Sequence, residues 1–227
     1  MQTVIISGAS GGLGGAVTRR FVEERNWRVI ALSKSVESAK RLASELSAAS
    51  KIVSAVACDL TNTASVQRFI ETSKLERLDA VVHLAGGIIA GKPIEETDAE
   101  TPQAMMNLNY YTAFNLLRAS LPLLKARGGA FIAIAANAAL APEKNKAGYA
   151  ASKAALLSLV QSTAHEGKSY GVRAHALVPG IIDTPANREW GTPEEISRWI
   201  KPEAIAEAIW FLCNDAAKGV AHSVLKF

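Results

Sequence analysis

Two cysteines in 227 residues, Cys58 and Cys213, lie far apart without CxxC spacing, which excludes a small disulfide-stapled scaffold. The four histidines, His83, His165, His175 and His222, form no HxxxH or HExxH cluster, so no metal site is expected. Aromatic residues make up only 6% of the chain, but 49% of it is hydrophobic and 20% charged, a balance that excludes disordered and collagen-like classes. No apolar run approaches the length of a membrane span. Met1-Gln2-Thr3 before Val4-Ile5-Ile6 has neither the basic region nor the apolar stretch of a secretion signal. Charge of one sign is not concentrated anywhere: 25 Lys and Arg against 21 Asp and Glu give +4, interleaved with no basic arm. The expectation is a reduced, cytoplasmic protein with no membrane or nucleic-acid partner. A chain this long buries roughly 70% or more of its unfolded surface, enough for one self-sufficient domain over 1–227.

Short β-rich apolar runs alternate with stretches of helical periodicity. The strands expected are Thr3 to Ser7, Arg28 to Leu32, Ile52 to Ala57, Ala80 to Leu84, Ala130 to Ala135, Ala174 to Val178 and Ser223 to Lys226. Most are continuous apolar runs, as strands covered on both faces require. Helices are expected over Gly14 to Arg25, Val36 to Ala48, Ser65 to Lys74, Pro102 to Arg127, Gly148 to Tyr170 and Pro202 to Cys213. Right-handed crossovers between parallel strands place helices on both faces, giving an α/β, doubly wound, Rossmann-type parallel sheet of about seven strands. The segment Ile181 to Ile200, punctuated by Pro185 and Pro193 with a short helical piece from Glu194, reads as a substrate lid around 185–200 or as a plain surface loop.

The first strand runs into Ser7-Gly8-Ala9-Ser10-Gly11-Gly12-Leu13-Gly14-Gly15. Glycines let the backbone turn tightly and bring its amides to a pyrophosphate at the start of the following helix. The residues of this loop to be placed against a dinucleotide are Gly8, Ser10, Gly12, Leu13 and Gly14. At the end of the second strand, where such sheets read the adenine ribose, stand Ser33 and Lys34 with no carboxylate. A hydroxyl and a cation there favour NADP(H), with NAD(H) still usable. Tyr149 and Lys153 are spaced i,i+4 on a helix. A lysine cation beside a phenol favours the phenolate, so Lys153 is expected to lower the Tyr149 pKa and make it an acid or base near neutrality.

With these motifs in this order the chain resembles the short-chain dehydrogenase/reductase family over nearly its whole length. Gly8, Gly12 and Gly14 match TGxxxGxG, with Ser7 where Thr is usual. The resemblance implies that Asp59 and Leu60 touch the adenine, that Ala85 and Gly86 match the end of an NNAG segment whose two asparagines are here His83 and Leu84, and that Gly87 beside them is also cofactor-binding. It further implies that Asn109 holds a proton-relay water, that Pro179, Gly180, Ile182 and Thr184 flank the nicotinamide, and that Tyr149 and Lys153 are both catalytic and cofactor-binding. Relatives pair through the long fourth and fifth helices, which implies a homodimer or homotetramer.

One departure is chemical. The family's catalytic serine lies thirteen residues before the tyrosine, and that position is Ala136. The dihydropteridine reductase branch also does without this serine, and Arg25-Asn26-Trp27, Ala85-Gly86-Gly87 and Asp183-Thr184-Pro185 are similar to it. The expectation is an NADPH-dependent reductase of a conjugated imine or carbonyl such as a quinonoid dihydropterin, whose hydride acceptance builds little localised oxyanion. The alternatives are a 3-oxoacyl, small-ketone or quinone reductase, and an NADP(H)-binding sensor or scaffold of weak activity. Ala136 and Trp190 are the substrate-side positions; Trp190 either stacks on an aromatic substrate or closes the loop onto the domain. Asn137 and Asn145 are the nearby side chains that could replace the missing donor.

Overall fold

The computed structural model describes residues 1–24, 26–45, 53–141 and 143–227. Seven strands form one parallel sheet: β1 (Gln2–Ser7), β2 (Trp27–Ser33), β3 (Val53–Ala57), β4 (Ala80–His83), β5 (Ala130–Ile134), β6 (Arg173–Val178) and β7 (His222–Lys226), in the order β3-β2-β1-β4-β5-β6-β7. Each lies within one residue of its expected bounds among the described residues. The apolar alternation of β1 sorts the two layers. Val4 and Ile6 face one core with Phe21, Trp27 and Ile209, whereas Ile5 faces the other with Leu116, Leu156 and Val160. Each such fully buried aliphatic side chain contributes about 2 kcal/mol.

On the Val4 face lie α1 (Gly12–Glu23), α2 (Val36–Glu45) and α9 (Pro202–Cys213); on the Ile5 face lie α3 (Thr63–Thr72), α5 (Thr112–Lys125) and α6 (Ala147–Gly167). Asn62 caps α3 by accepting from Ser65 N at 3.0 Å, and Pro202 opens α9 at a position where no backbone donor is needed. The order in which the chain adds strands reverses between β1 and β4, so the crevice at their C-terminal ends is where a doubly wound sheet takes its ligand.

Three helical expectations change. The stretch Pro102 to Arg127 is not one α-helix: α4 (Thr101–Met106) and α5 are joined by a π-turn over Asn107–Tyr111. The last residues of Gly148 to Tyr170 tighten into a 3₁₀ turn over Lys168–Tyr170. The segment after β6 holds two short helices, α7 (Pro185–Arg188) and α8 (Pro193–Ser197), the second started by a capping box between Thr192 and Glu195. Arg25, 46–48 and Ile52, given to elements from the sequence, lie outside the described residues.

Candidate active site

The loops leaving β1, β4 and β6 converge on the crevice, and their glycines measure how closely. Gly8 has φ +68°, and a Cβ there would lie 2.8 Å from Ala85 N. A Cβ on Gly14 would lie 2.1 Å from Gly8 O, and one on Gly12 would lie 2.8 Å from Thr184 Cβ. Only glycine permits these approaches. Leu13, in the first turn of α1, packs its side chain partly on the core, whereas Ser10 and Gly8 line the crevice.

A cavity of about 320 Å³ continues towards β2 and β3, lined among others by Ser10, Ser33, Lys34, Asp59 and Leu60. The Ser33 hydroxyl is buried there without a hydrogen-bond partner, an orphan that a ligand hydroxyl or phosphate oxygen would satisfy. Asp59 accepts from Thr61 N at 3.0 Å and Thr61 Oγ1 at 2.7 Å. Those bonds, with the nearby Lys34 charge, hold its carboxyl below the usual range. The residues expected to read the ribose and those expected on the adenine side therefore line one cavity. The glycine cradle and the orphan hydroxyl fit a nicotinamide dinucleotide.

Across β4 the catalytic candidates come together. A Cβ on Gly86 would lie 2.7 Å from Asn109 Oδ1 and 3.3 Å from Lys153 Nζ. Asn109, fully buried, accepts from Gly87 N at 3.0 Å and donates to Gly87 O and Ser152 Oγ, each at 3.0 Å. Its side chain thus braces the β4 loop against α6, and the π-turn is what delivers it, a common placement for such turns. Lys153 Nζ donates to Ile134 O at 2.8 Å.

The expected electrostatics of the Tyr149 and Lys153 pair are reversed. Burial, and then the charge of Glu143, push the Tyr149 phenol up rather than down. Burial brings the Lys153 ammonium down to about 8. The i,i+4 spacing does place both on α6, but loss of water around each group sets the direction of its shift.

At the end of β5, Ala136 is extended and half-buried, and its methyl offers no hydrogen-bond donor. Asn137 and Asn145 are both exposed; Asn145 has φ 59°, with its carbonyl accepting from Gly91 N at 2.9 Å. Among the described residues, neither side chain donates to a group in the site. Pro179 is buried and Gly180 exposed at the end of β6. Ile182 packs partly on the core and forms a bridge with Ile200, closing the segment between them at its base. Trp190 is 59% exposed and lies 5.0 Å, centroid to centroid, from the buried Trp199.

Two features had no decisive sequence signal. Ser152, read only as a spacer in Tyr149-Ala-Ala-Ser-Lys153, is the partner of Asn109. His83 is buried between β1 and α5, with Ser7 Oγ 2.9 Å from Nδ1 and Thr112 Oγ1 3.3 Å from Nε2. Thr112 Oγ1 donates to Leu108 O at 2.7 Å, so it accepts from Nε2–H and leaves Nδ1 to accept from Ser7. Burial, then the Lys153 charge, bring His83 down to about 3, keeping it neutral.

A dinucleotide cradle at a topological switch, beside a buried lysine and a tyrosine on one helix, defines an oxidoreductase of the Rossmann type. A family model for the short chain dehydrogenase matches residues 2–195, and the chain belongs to the short-chain dehydrogenase/reductase family. It is 28% identical to an L-fucose dehydrogenase of Oryctolagus cuniculus, over 95% of this chain and 80% of that protein. It is 27% identical to a 3-oxoacyl acyl-carrier-protein reductase of Thermotoga maritima, over 99% of this chain and 95% of that one. Among solved structures, a 7 alpha-hydroxysteroid dehydrogenase complexed with NADH and 7-oxo glycochenodeoxycholic acid superposes with a TM-score of 0.90 at 28% identity, covering 100% of this chain and 92% of that one. Among the described residues, no helix is long and apolar enough to cross a membrane.

Proposed function

We propose that this chain is an NADPH-dependent reductase that adds a hydride and a proton across a conjugated C=N or C=O bond, a quinonoid dihydropterin being the representative acceptor. The observation that carries this reading is Ala136 at the end of β5, whose methyl offers no donor to an isolated carbonyl oxygen. Loss of one oxyanion donor costs on the order of 100-fold for an isolated ketone, but little where the negative charge is delocalised.

Gly8, Gly12 and Gly14 would admit the pyrophosphate, Ser33 and Lys34 the 2′-phosphate, and Asp59 and Leu60 the adenine. Ala85, Gly86 and Gly87 would line the path to the nicotinamide, flanked by Pro179, Gly180, Ile182 and Thr184. When bound, NADPH supplies the hydride. Tyr149 gives its phenolic proton to the acceptor atom. Lys153, anchored on Ile134 O, places a positive charge below the site that favours the phenolate left behind. Asn109 fixes the Gly87 backbone that walls the site. The segment 185–200, with Trp190 exposed upon it, covers the acceptor. We assign the working form to a cytoplasmic homodimer or homotetramer assembled through α5 and α6, where Phe114 is left 37% exposed.

A second reading, a 3-oxoacyl, small-ketone or quinone reductase, is favoured by the 3-oxoacyl and hydroxysteroid enzymes among the relatives. Oxidation of NADPH and NADH is to be followed with quinonoid dihydropterin, ketones, quinones and 3-oxoacyl thioesters, with Tyr149→Phe as control. Tyrosine-dependent turnover of the pterin with NADPH is expected. Turnover confined to ketones or thioesters selects the second reading, and tight NADPH binding with no turnover of any acceptor refutes both.

A further inference from the structure

The segment over the crevice is a closed loop stitched at its base. Ile182 pairs with Ile200, Asp183 N donates to Ile200 O at 2.9 Å, and Ile200 N donates to Ile181 O at 2.9 Å. Immediately inside that seam the Asp183 carboxylate is buried, its side chain 2% exposed, between two cations that are themselves in solvent. Arg188, at the end of α7, donates from Nε to Oδ1 and from Nη2 to Oδ2 at 2.8 Å. Lys201, just before α9, donates to Oδ2 at 2.5 Å. Between Asp183 and Arg188 sits Thr184, which caps α7 by accepting from Asn187 N and whose Cβ rests against Gly12. Asp183, Arg188 and Lys201 also line, with Gly11 and Gly12, a cavity of about 620 Å³ beside the start of α1.

We propose that Asp183 is a positioning residue: by drawing Arg188 and Lys201 onto one buried carboxylate it clamps α7 and Thr184 onto the glycine loop, so that the nicotinamide side of the crevice is assembled before ligand arrives. This inference rests on the dinucleotide reading above. The clamp couples residues that the chain separates, since Arg188 follows Asp183 by one helical turn whereas Lys201 follows the whole loop. Its two sides respond unequally to mutation. A carboxylate stripped of both cations keeps an uncompensated charge at the base of the loop, a charge that lifting of the loop relieves by letting in water. Cations stripped of the carboxylate are already hydrated and lose little.

That asymmetry separates positioning from direct contact, in which Arg188 and Lys201 would hold ligand phosphates themselves. The test uses the full chain with Arg188→Met and Lys201→Met, singly and together, and then with Asp183→Asn added. Hydrogen exchange at the amides of Asp183, Thr184, Arg188 and Ile200 is measured without ligand, and NADPH affinity by fluorescence titration. The double cation variant is expected to exchange faster and to bind NADPH at least about tenfold more weakly, a change of about 1.4 kcal/mol. Adding Asp183→Asn, which removes the stranded charge, should return both quantities most of the way. Unchanged exchange in the double variant overturns the clamp. Weakened binding that Asp183→Asn does not rescue also overturns it, because the cations then act on the ligand directly. If the double variant does not fold, Lys201→Met with and without Asp183→Asn makes the same comparison. The exchange measurement needs no ligand, so failure of the clamp is told apart from failure of the nucleotide reading.

Discussion

Removing the buried charge at Lys153 should make the ligand-free protein more stable while abolishing its activity. Lys153 is 6% exposed, donates to Ile134 O at 2.8 Å, and has no carboxylate within ion-pair distance among the described residues. A fall from the ordinary 10.5 to about 8 means the fold disfavours the ammonium by about 3 kcal/mol. Lys153→Met keeps the length of the side chain and removes that cost. It also leaves Ile134 O without its donor, a loss of about 1 to 2 kcal/mol. The net expectation at pH 7 is a gain of about 1 to 2 kcal/mol in urea unfolding, with turnover lost. The pH dependence carries the sign. Below about pH 8 the lysine is charged in both states and its full cost is present. Between about 8 and 10.5 the unfolded chain holds a proton that the folded chain has released, so wild-type stability rises through this window relative to the variant. The variant's advantage should therefore shrink as pH rises above 8. A Lys153→Met protein less stable than wild type at pH 7, or an advantage that does not narrow towards pH 10, would refute the reasoning.

Tyr149→Phe should lower kcat for reduction by about 10²- to 10⁴-fold while urea unfolding changes little; steady-state kinetics beside a denaturation curve check both. Ser33→Asp with Lys34→Ala should exchange NADPH preference for NADH, shifting the ratio of kcat/KM values on the order of 100-fold, because a carboxylate accepts the ribose hydroxyl and repels the phosphate. Gly14→Ala places a methyl 2.1 Å from Gly8 O. It should cost about 3 kcal/mol, visible in calorimetry as a Tm lower by about 6 to 12 °C together with weaker NADPH binding.

The parts of this molecule readable from its sequence are those governed by periodicity. Val4-Ile5-Ile6 and Val81-Val82 could only be covered on both faces, and they are central strands of one parallel sheet. The glycine loop was readable because only glycine tolerates the approaches at Gly8, Gly12 and Gly14. The π-turn at Asn107–Tyr111 was not, because no glycine or proline marks it. The Tyr149 and Lys153 pair was visible as a spacing, but the direction of its pKa shifts is set by burial, which arises only when β5, α5 and α6 pack. Arg188 and Lys201 look like ordinary solvated loop cations until the fold brings both to Asp183.

The measurement that bears most directly on the central claim is the turnover of Ala136→Ser against wild type, with NADPH, on quinonoid dihydropterin and on a simple ketone. A reductase adapted to a delocalised acceptor should gain on the order of 100-fold on the ketone when the hydroxyl is supplied, and change little on the pterin. Wild-type protein that reduces the ketone efficiently, with no gain from the serine and no tyrosine-dependent activity on the pterin, would contradict the account.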